Sequence, residues 1–173
     1  MSANVDLPDV ALSVRQPWAW AIVAGHKKIE NRSVGSIRAG RMSCRRIAIH
    51  AAIGLKQDEF DWGVWRLQKH GVACPHPDQL PRGTIIGAVD VVKIITKSDI
   101  EWFGGQMGLV LENAEQCDPI PAKGELGYFG WRRAGALAPV AKWMGAWARG
   151  GEGLFEHLEA SWRVAPHKPF KSG

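Results

Sequence analysis

Long apolar runs are missing from this chain. None approaches the roughly 18 consecutive apolar residues of a membrane helix, so no membrane partner is expected. Cysteine is scarce: Cys44, Cys74 and Cys117 stand at unrelated spacings. That is no disulfide framework, and it points to reduced thiols in a cytoplasmic protein. The opening MSANVDLPDV holds two acids and no basic segment, so a secretory leader is not expected. Metal chemistry has no foothold either, because Cys74-Pro75-His76 lacks the spacing of a zinc knuckle. Gly104-Gly105 lacks the lysine and serine of a phosphate-cradling loop. Neither metal nor cofactor is expected.

Acidic charge is thin in the first third. Between Ala11 and Lys56 nine basic residues accompany one acid, in a chain whose net charge is +5. The rest of the chain must then be slightly acidic. A basic segment on such a body implies an anionic partner, nucleic acid foremost. The plainer reading is a solvated basic face that serves solubility.

With 173 residues, 46% of them hydrophobic and 23% charged, the chain has the makings of one ordinary globular domain. Its nine tryptophans are unusual. Most belong in packing, because an indole buries a large apolar area. One at a pocket rim could stack on a base. Trp18, in a first helical turn beside Arg15 and Gln16, is the best placed.

The most informative stretch is Leu12–Arg32, LSVRQPWAWAIVAGHKKIENR. Pro17 suits the first turn of a helix, where its missing N–H costs nothing. Trp18–Ala24 is apolar and alanine-rich, so a short buried helix is expected, stopped by Gly25. The charges Lys27, Glu30 and Arg32 follow. If a strand starts at Lys28, alternation puts Lys28, Glu30 and Arg32 on one face and leaves Lys27 in the turn.

Ser33–Arg46 is rich in glycine, serine and arginine and reads as a mobile connection. Its Arg38 and Arg41 could clamp phosphate. Ile47–Ala51 reads as a short strand ending near His50, and Asp58–His70 as a helix burying Phe60, Val64 and Leu67, with Gly63 a weak spot. Gly83–Thr96 is the strongest strand, bent or bulged at Gly87. Gly105–Glu112 reads as another strand. Asp118–Trp131 reads as a proline-rich turn that finishes in an aromatic strand. The whole is α+β, built on a small curved sheet or barrel. Beyond Ala134 two packing helices are expected, Val140–Arg149 and Glu152–Trp162, as an appendage and not a second domain.

Gly25-His26-Lys27-Lys28-Ile29-Glu30-Asn31-Arg32 fits the G-x-K-x-x-E-x-R signature of ASCH-domain proteins. LSVRQPWAWAIVAG resembles the helix that leads into it. With RIAIHAA, GTIIGAVDVV and GLVLENAEQCDPIPAKGELGYFGW the resemblance spans about residues 11–133, leaving 134–173 as a helical extension. The resemblance implies a PUA-like fold: a small β-barrel, a helix at its mouth, and a cleft facing RNA or a modified nucleoside. It would put Lys27, Glu30 and Arg32 in that cleft, with Arg15, Gln16 and Trp18 on the helix side. His50 and Lys123-Gly124 would add further lining.

Some members remove the acyl group of acetylcytidine with a lysine, a threonine three residues on, and a glutamate. Here Lys27 matches, but Glu30 stands where the threonine would be, so the hydroxyl is missing. Lys27 and Glu30 are catalytic candidates only under that hydrolase reading. The structural alternatives are an ion pair of Glu30 with Arg32 and, at His50, a satisfied strand-end histidine. Three functions follow: a reader of single-stranded RNA or modified nucleotides, a small nucleoside amidohydrolase, and a module docking a protein through its C-terminal helices.

Overall fold

A computed structural model describes residues 5–149 of the chain. Strands β1 (Val10–Val14), β2 (Ile29–Arg32), β3 (Arg46–Ala51), β4 (Thr84–Ile95), β5 (Met107–Pro121) and β6 (Tyr128–Gly130) form one sheet in the order β2-β5-β4-β3-β1-β6. The β1–β3 pair is parallel and every other pair antiparallel. Helices α1 (Trp18–Val23), α2 (Val34–Ala39), α3 (Gln57–Lys69) and α4 (Lys142–Ala146) pack around it. The sheet curls into a half-barrel whose end strands are β2 and β6, so the expected α+β class with a curved sheet is what forms.

Curvature comes from interrupted registers. The β4–β5 pairing shifts at three places and the β3–β4 pairing shifts once, between Ile49 and His50. One shift falls at Gly87, where a Cβ would collide with the Glu115 carbonyl. The bend expected at Gly87 is there, and the residue's bareness is what lets β5 come close.

Inside the curl, Ile22 and Val23 of α1 and Ile37 of α2 meet Leu12, Val14, Ile47, Ile49, Val89 and Leu109. A second cluster joins the face of α3 (Phe60, Val64, Leu67) to Ile29, Trp102 and Trp147. On the opposite face of β1 and β3, Ala11, Ala48, Ile85, Ala122 and Phe129 form a third.

Three expectations are corrected. Ser33–Arg46 is no mobile connection: Ser33 caps α2 by accepting from the Ser36 amide at 3.0 Å, and Ile37 is buried in the core. Its glycines and arginines hid a cap followed by two apolar anchors, Ile37 and Met42. The strand that was to end at Glu112 continues as β5 through Asn113, which has a φ of 50°, to Pro121. The proline-rich turn is therefore strand. Beyond Val110 β5 has lost β2, so a residue with no N–H costs no ladder bond to that strand. The helix expected over Val140–Arg149 is the five-residue α4, and Glu152–Trp162 lies outside the described residues.

Candidate functional site

Gln16 sets the first wall. Its side-chain oxygen accepts from the Trp20 amide at 3.0 Å, satisfying a donor at the start of α1. Its amide nitrogen donates to the Pro81 carbonyl at 2.9 Å. The Pro17 ring lies against Gly63 of α3, where a Cβ would sit 2.6 Å from Pro17 Cγ. At the other end Gly25, with φ +80°, reverses the chain, and the amides of His26 and Lys27 both donate to the Ala21 carbonyl. Helix, stop and strand together deliver Lys27 from the turn to the same place as Glu30 and Arg32 from β2. Lys28 is exposed instead.

Lys27, Glu30 and Arg32 are 5%, 7% and 7% exposed, so the three charges are buried together. Lys27 Nζ donates to the Ile29 carbonyl and, at 2.8 Å, to Glu30 Oε2. Glu30 Oε1 lies 3.1 Å from an Arg32 terminal nitrogen, which also donates to the Ser13 carbonyl at 3.0 Å. Arg32 Nε is buried without a partner. Two cations and one carboxylate leave one positive charge in excess. Burial pushes the Lys27 ammonium below its ordinary range, more than Glu30 raises it. Burial alone would raise Glu30, but Lys27 and then Arg32 hold it below the usual carboxylate range.

Trp18 roofs the cluster, its ring 5.9 Å from Lys27 Nζ. It packs edge-on against Trp62 at 5.5 Å and Trp102 at 6.2 Å, and stays partly exposed. Asn31 holds the Trp102 segment by donating to the Trp102 carbonyl and accepting from the Gly104 amide. Arg66 lies 5.9 Å from the Trp62 ring and its charge also depresses Lys27.

The remaining candidates separate. Arg15 pairs with Glu59 of α3 at 2.5 Å and keeps its side chain 41% exposed. Arg38 and Arg41, on and just after α2, are exposed, as is Lys123. His50 is buried between two partners, Ser13 Oγ at 2.8 Å from Nδ1 and the Ala122 carbonyl at 2.9 Å from Nε2. Burial lowers its pKa. Gln16 and His50 thus spend their polar atoms inside the protein, while Arg38, Arg41 and Lys123 present theirs to solvent.

Sequence reasoning missed Ser13, Glu59, Trp62, Arg66 and Trp102. Ser13 stood inside the motif-bearing stretch. The other four come from α3 and the β4–β5 connection, where no local pattern marks them. Among the described residues no group of three or more histidine, cysteine, aspartate or glutamate side chains could hold a metal, and no helix is long and apolar enough to cross a membrane.

A six-stranded curled sheet with a few helices packed on it is an α+β fold of the ASCH type. Residues 12–150 match the ASCH domain family model, and the chain belongs to that family. No curated protein matches the chain. Among solved structures it is similar to the ASCH protein of Zymomonas mobilis, at 15% identity and TM-score 0.35 over 79% of this chain and 90% of that one. A serine-to-alanine mutant of the Zymomonas mobilis protein gives 16% identity and TM-score 0.35, covering 81% and 95% of the two chains.

Proposed function

We propose that the opening of the half-barrel binds single-stranded RNA or a modified nucleotide. One observation carries the reading: a buried cluster with one uncompensated positive charge lies directly under a partly exposed tryptophan. A phosphate or an electron-rich base edge supplies the missing negative charge, and an indole face stacks on a base. Lys27, Glu30 and Arg32 meet the base edge, and Trp18 stacks. Arg15, Arg38 and Arg41 follow the phosphates, with Lys123 on the far lip. Gln16 and His50 shape the walls.

Such binding weakens with salt, because each neutralised phosphate releases counterions. The test is a titration of a short labelled single-stranded RNA at two salt concentrations. The double variant Arg38→Glu/Arg41→Glu is expected to lower the slope of log affinity against log salt by about 1.4, at roughly 0.7 per phosphate contact. Trp18→Ala is expected to cost about 1–3 kcal/mol of binding. Absence of binding at low salt, or a slope untouched by the double variant, defeats the reading.

A second reading is favoured by one observation, the 2.8 Å contact of the Lys27 amine with Glu30 in a place where burial disfavours the ammonium form. A neutral lysine beside a carboxylate can take a proton from water, and hydrolysis of an acylated nucleoside base would follow. Turnover of acetylcytidine, lost in Lys27→Met with the fold intact, tests it.

A further inference from the structure

Outside that cluster the described residues hold a nucleophile–base geometry at Ser13 and His50. Ser13 of β1 and His50 of β3 face each other across a parallel strand pair, in register. Ser13 Oγ lies 2.8 Å from His50 Nδ1. On its other side the ring meets the Ala122 carbonyl, 2.9 Å from Nε2. A carbonyl can only accept, so Nε2 carries the hydrogen and Nδ1 is left as the lone-pair nitrogen. The hydroxyl of Ser13 therefore donates to His50.

That is the order an activated serine needs: hydroxyl, base, and a third group holding the base in the right tautomer. Ser13 is partly exposed, and its backbone carbonyl is fixed by the Arg32 guanidinium at 3.0 Å. Residues 123–126, all exposed, pass over the pair at Gly124. A Cβ there would fall 2.5 Å from His50 Cε1 and 2.9 Å from Ser13 Oγ. Only a residue with no side chain fits this close to the pair, so the segment passes directly against Ser13 and His50.

We propose that Ser13 and His50 form a nucleophile–base dyad that cleaves an acyl ester carried on a sugar hydroxyl of the bound nucleotide. The substrate class rests on the nucleotide-binding reading above; the dyad does not. Ser13 Oγ attacks the ester carbonyl carbon while its proton passes to His50 Nδ1. The ester C–O bond breaks, and the leaving sugar oxygen takes that proton. Water then attacks the Ser13 acyl ester and gives a proton to His50 Nδ1. Ser13 Oγ recovers the proton as the carboxylic acid departs. His50 stays the free base near neutral pH because burial disfavours its cation.

The test treats the full-length protein with a fluorophosphonate probe, followed by peptide mass spectrometry. Label is expected on Ser13, absent in Ser13→Ala, and about 100-fold slower or more in His50→Gln, the range of a lost general base. The wild-type labelling rate is expected to rise with pH through a value below that of an ordinary histidine. No label on the wild-type protein, or label on another residue, overturns the dyad whether or not the variants fold. Hydrolysis of 3′-O-acetyl adenosine monophosphate checks the substrate class. Labelled Ser13 with no such turnover overturns the assigned substrate. Failure of the nucleotide reading is seen separately, as absence of RNA binding in the salt titration.

Discussion

Arg32 joins two parts of the sheet that share no backbone hydrogen bonds. Its guanidinium, rooted in the end strand β2, holds Glu30 and the Ser13 carbonyl of β1. Removing the one anion of the cluster is therefore more damaging than removing one cation. Glu30→Gln leaves two buried cations unopposed and is expected to lower stability by about 3–5 kcal/mol, the usual cost of breaking a buried pair. Lys27→Met keeps the Glu30–Arg32 pair and costs less; urea unfolding of the two variants checks the order. The pH dependence follows from the same burial. Lys27 has a folded pKa below its unfolded one, so the unfolded chain binds the extra proton between the two. Stability contributed by this group thus rises with pH across that alkaline window. Glu30 has the opposite role: its depressed pKa stabilises the fold above the ordinary carboxylate range and is lost in acid. Lys27→Met is expected to abolish the alkaline rise and also to shrink the acid limb, because Lys27 is the first of the two charges that depress Glu30.

At the level of elements, the α1–α3 contact depends on a missing side chain. Gly63 looked like a weak spot in a helix, yet it is where the Pro17 ring packs. Gly63→Ala raises helix propensity and at the same time drives a methyl into that ring. Overpacking should win, with a net loss of about 1–3 kcal/mol read as a lowered midpoint in thermal unfolding. This case shows what the sequence could disclose. The ends of α1, the buried face of α3 and the bend at Gly87 were legible; alternation placed Lys28 beside Glu30 and Arg32, and only the family resemblance brought Lys27 to them, because the turn after Gly25 carries it there. The continuity of β5 was not legible, because Pro119 and Pro121 fall where β5 has run past the end of β2, a matter of strand length that no local pattern shows. The tryptophan roof was not, because Trp18, Trp62 and Trp102 meet through tertiary packing alone. His50 read as a satisfied strand-end residue, but that its partner is a serine hydroxyl depended on the parallel pairing of β1 with β3.

Across the whole molecule, the segment after β6 is tied back by polar contacts. Arg82 donates to the Ile53 and Pro139 carbonyls, Trp147 Nε1 donates to Asp61, and Arg149 donates to the Cys74 carbonyl. His76 completes the attachment, with Nε2 2.8 Å from the Trp147 carbonyl and Nδ1 2.6 Å from Asp78. The Trp147 carbonyl first, then Asp78, raises its pKa, and Arg149 works against them. A histidine whose folded pKa lies above its unfolded value stabilises fully below the unfolded value and loses that contribution as pH rises through the folded one. Amide exchange over residues 142–149, corrected for its intrinsic pH dependence, is expected to be slower on the acid side of this transition. In His76→Ala that difference should disappear.

The strand order also sets a schedule. β3, β4 and β5 are consecutive in sequence and pair as neighbours, so their ladder can close as soon as β5 leaves the ribosome. β1 is different: it is made before all of them, yet it is sandwiched between β3 and β6. Synthesis runs from the N-terminus, so the first strand to emerge spends the longest time with an uncovered side and is completed only when Tyr128–Gly130 arrives. Ser13 lies on that strand, so the hydroxyl proposed as a nucleophile belongs to the part of the sheet that is finished last.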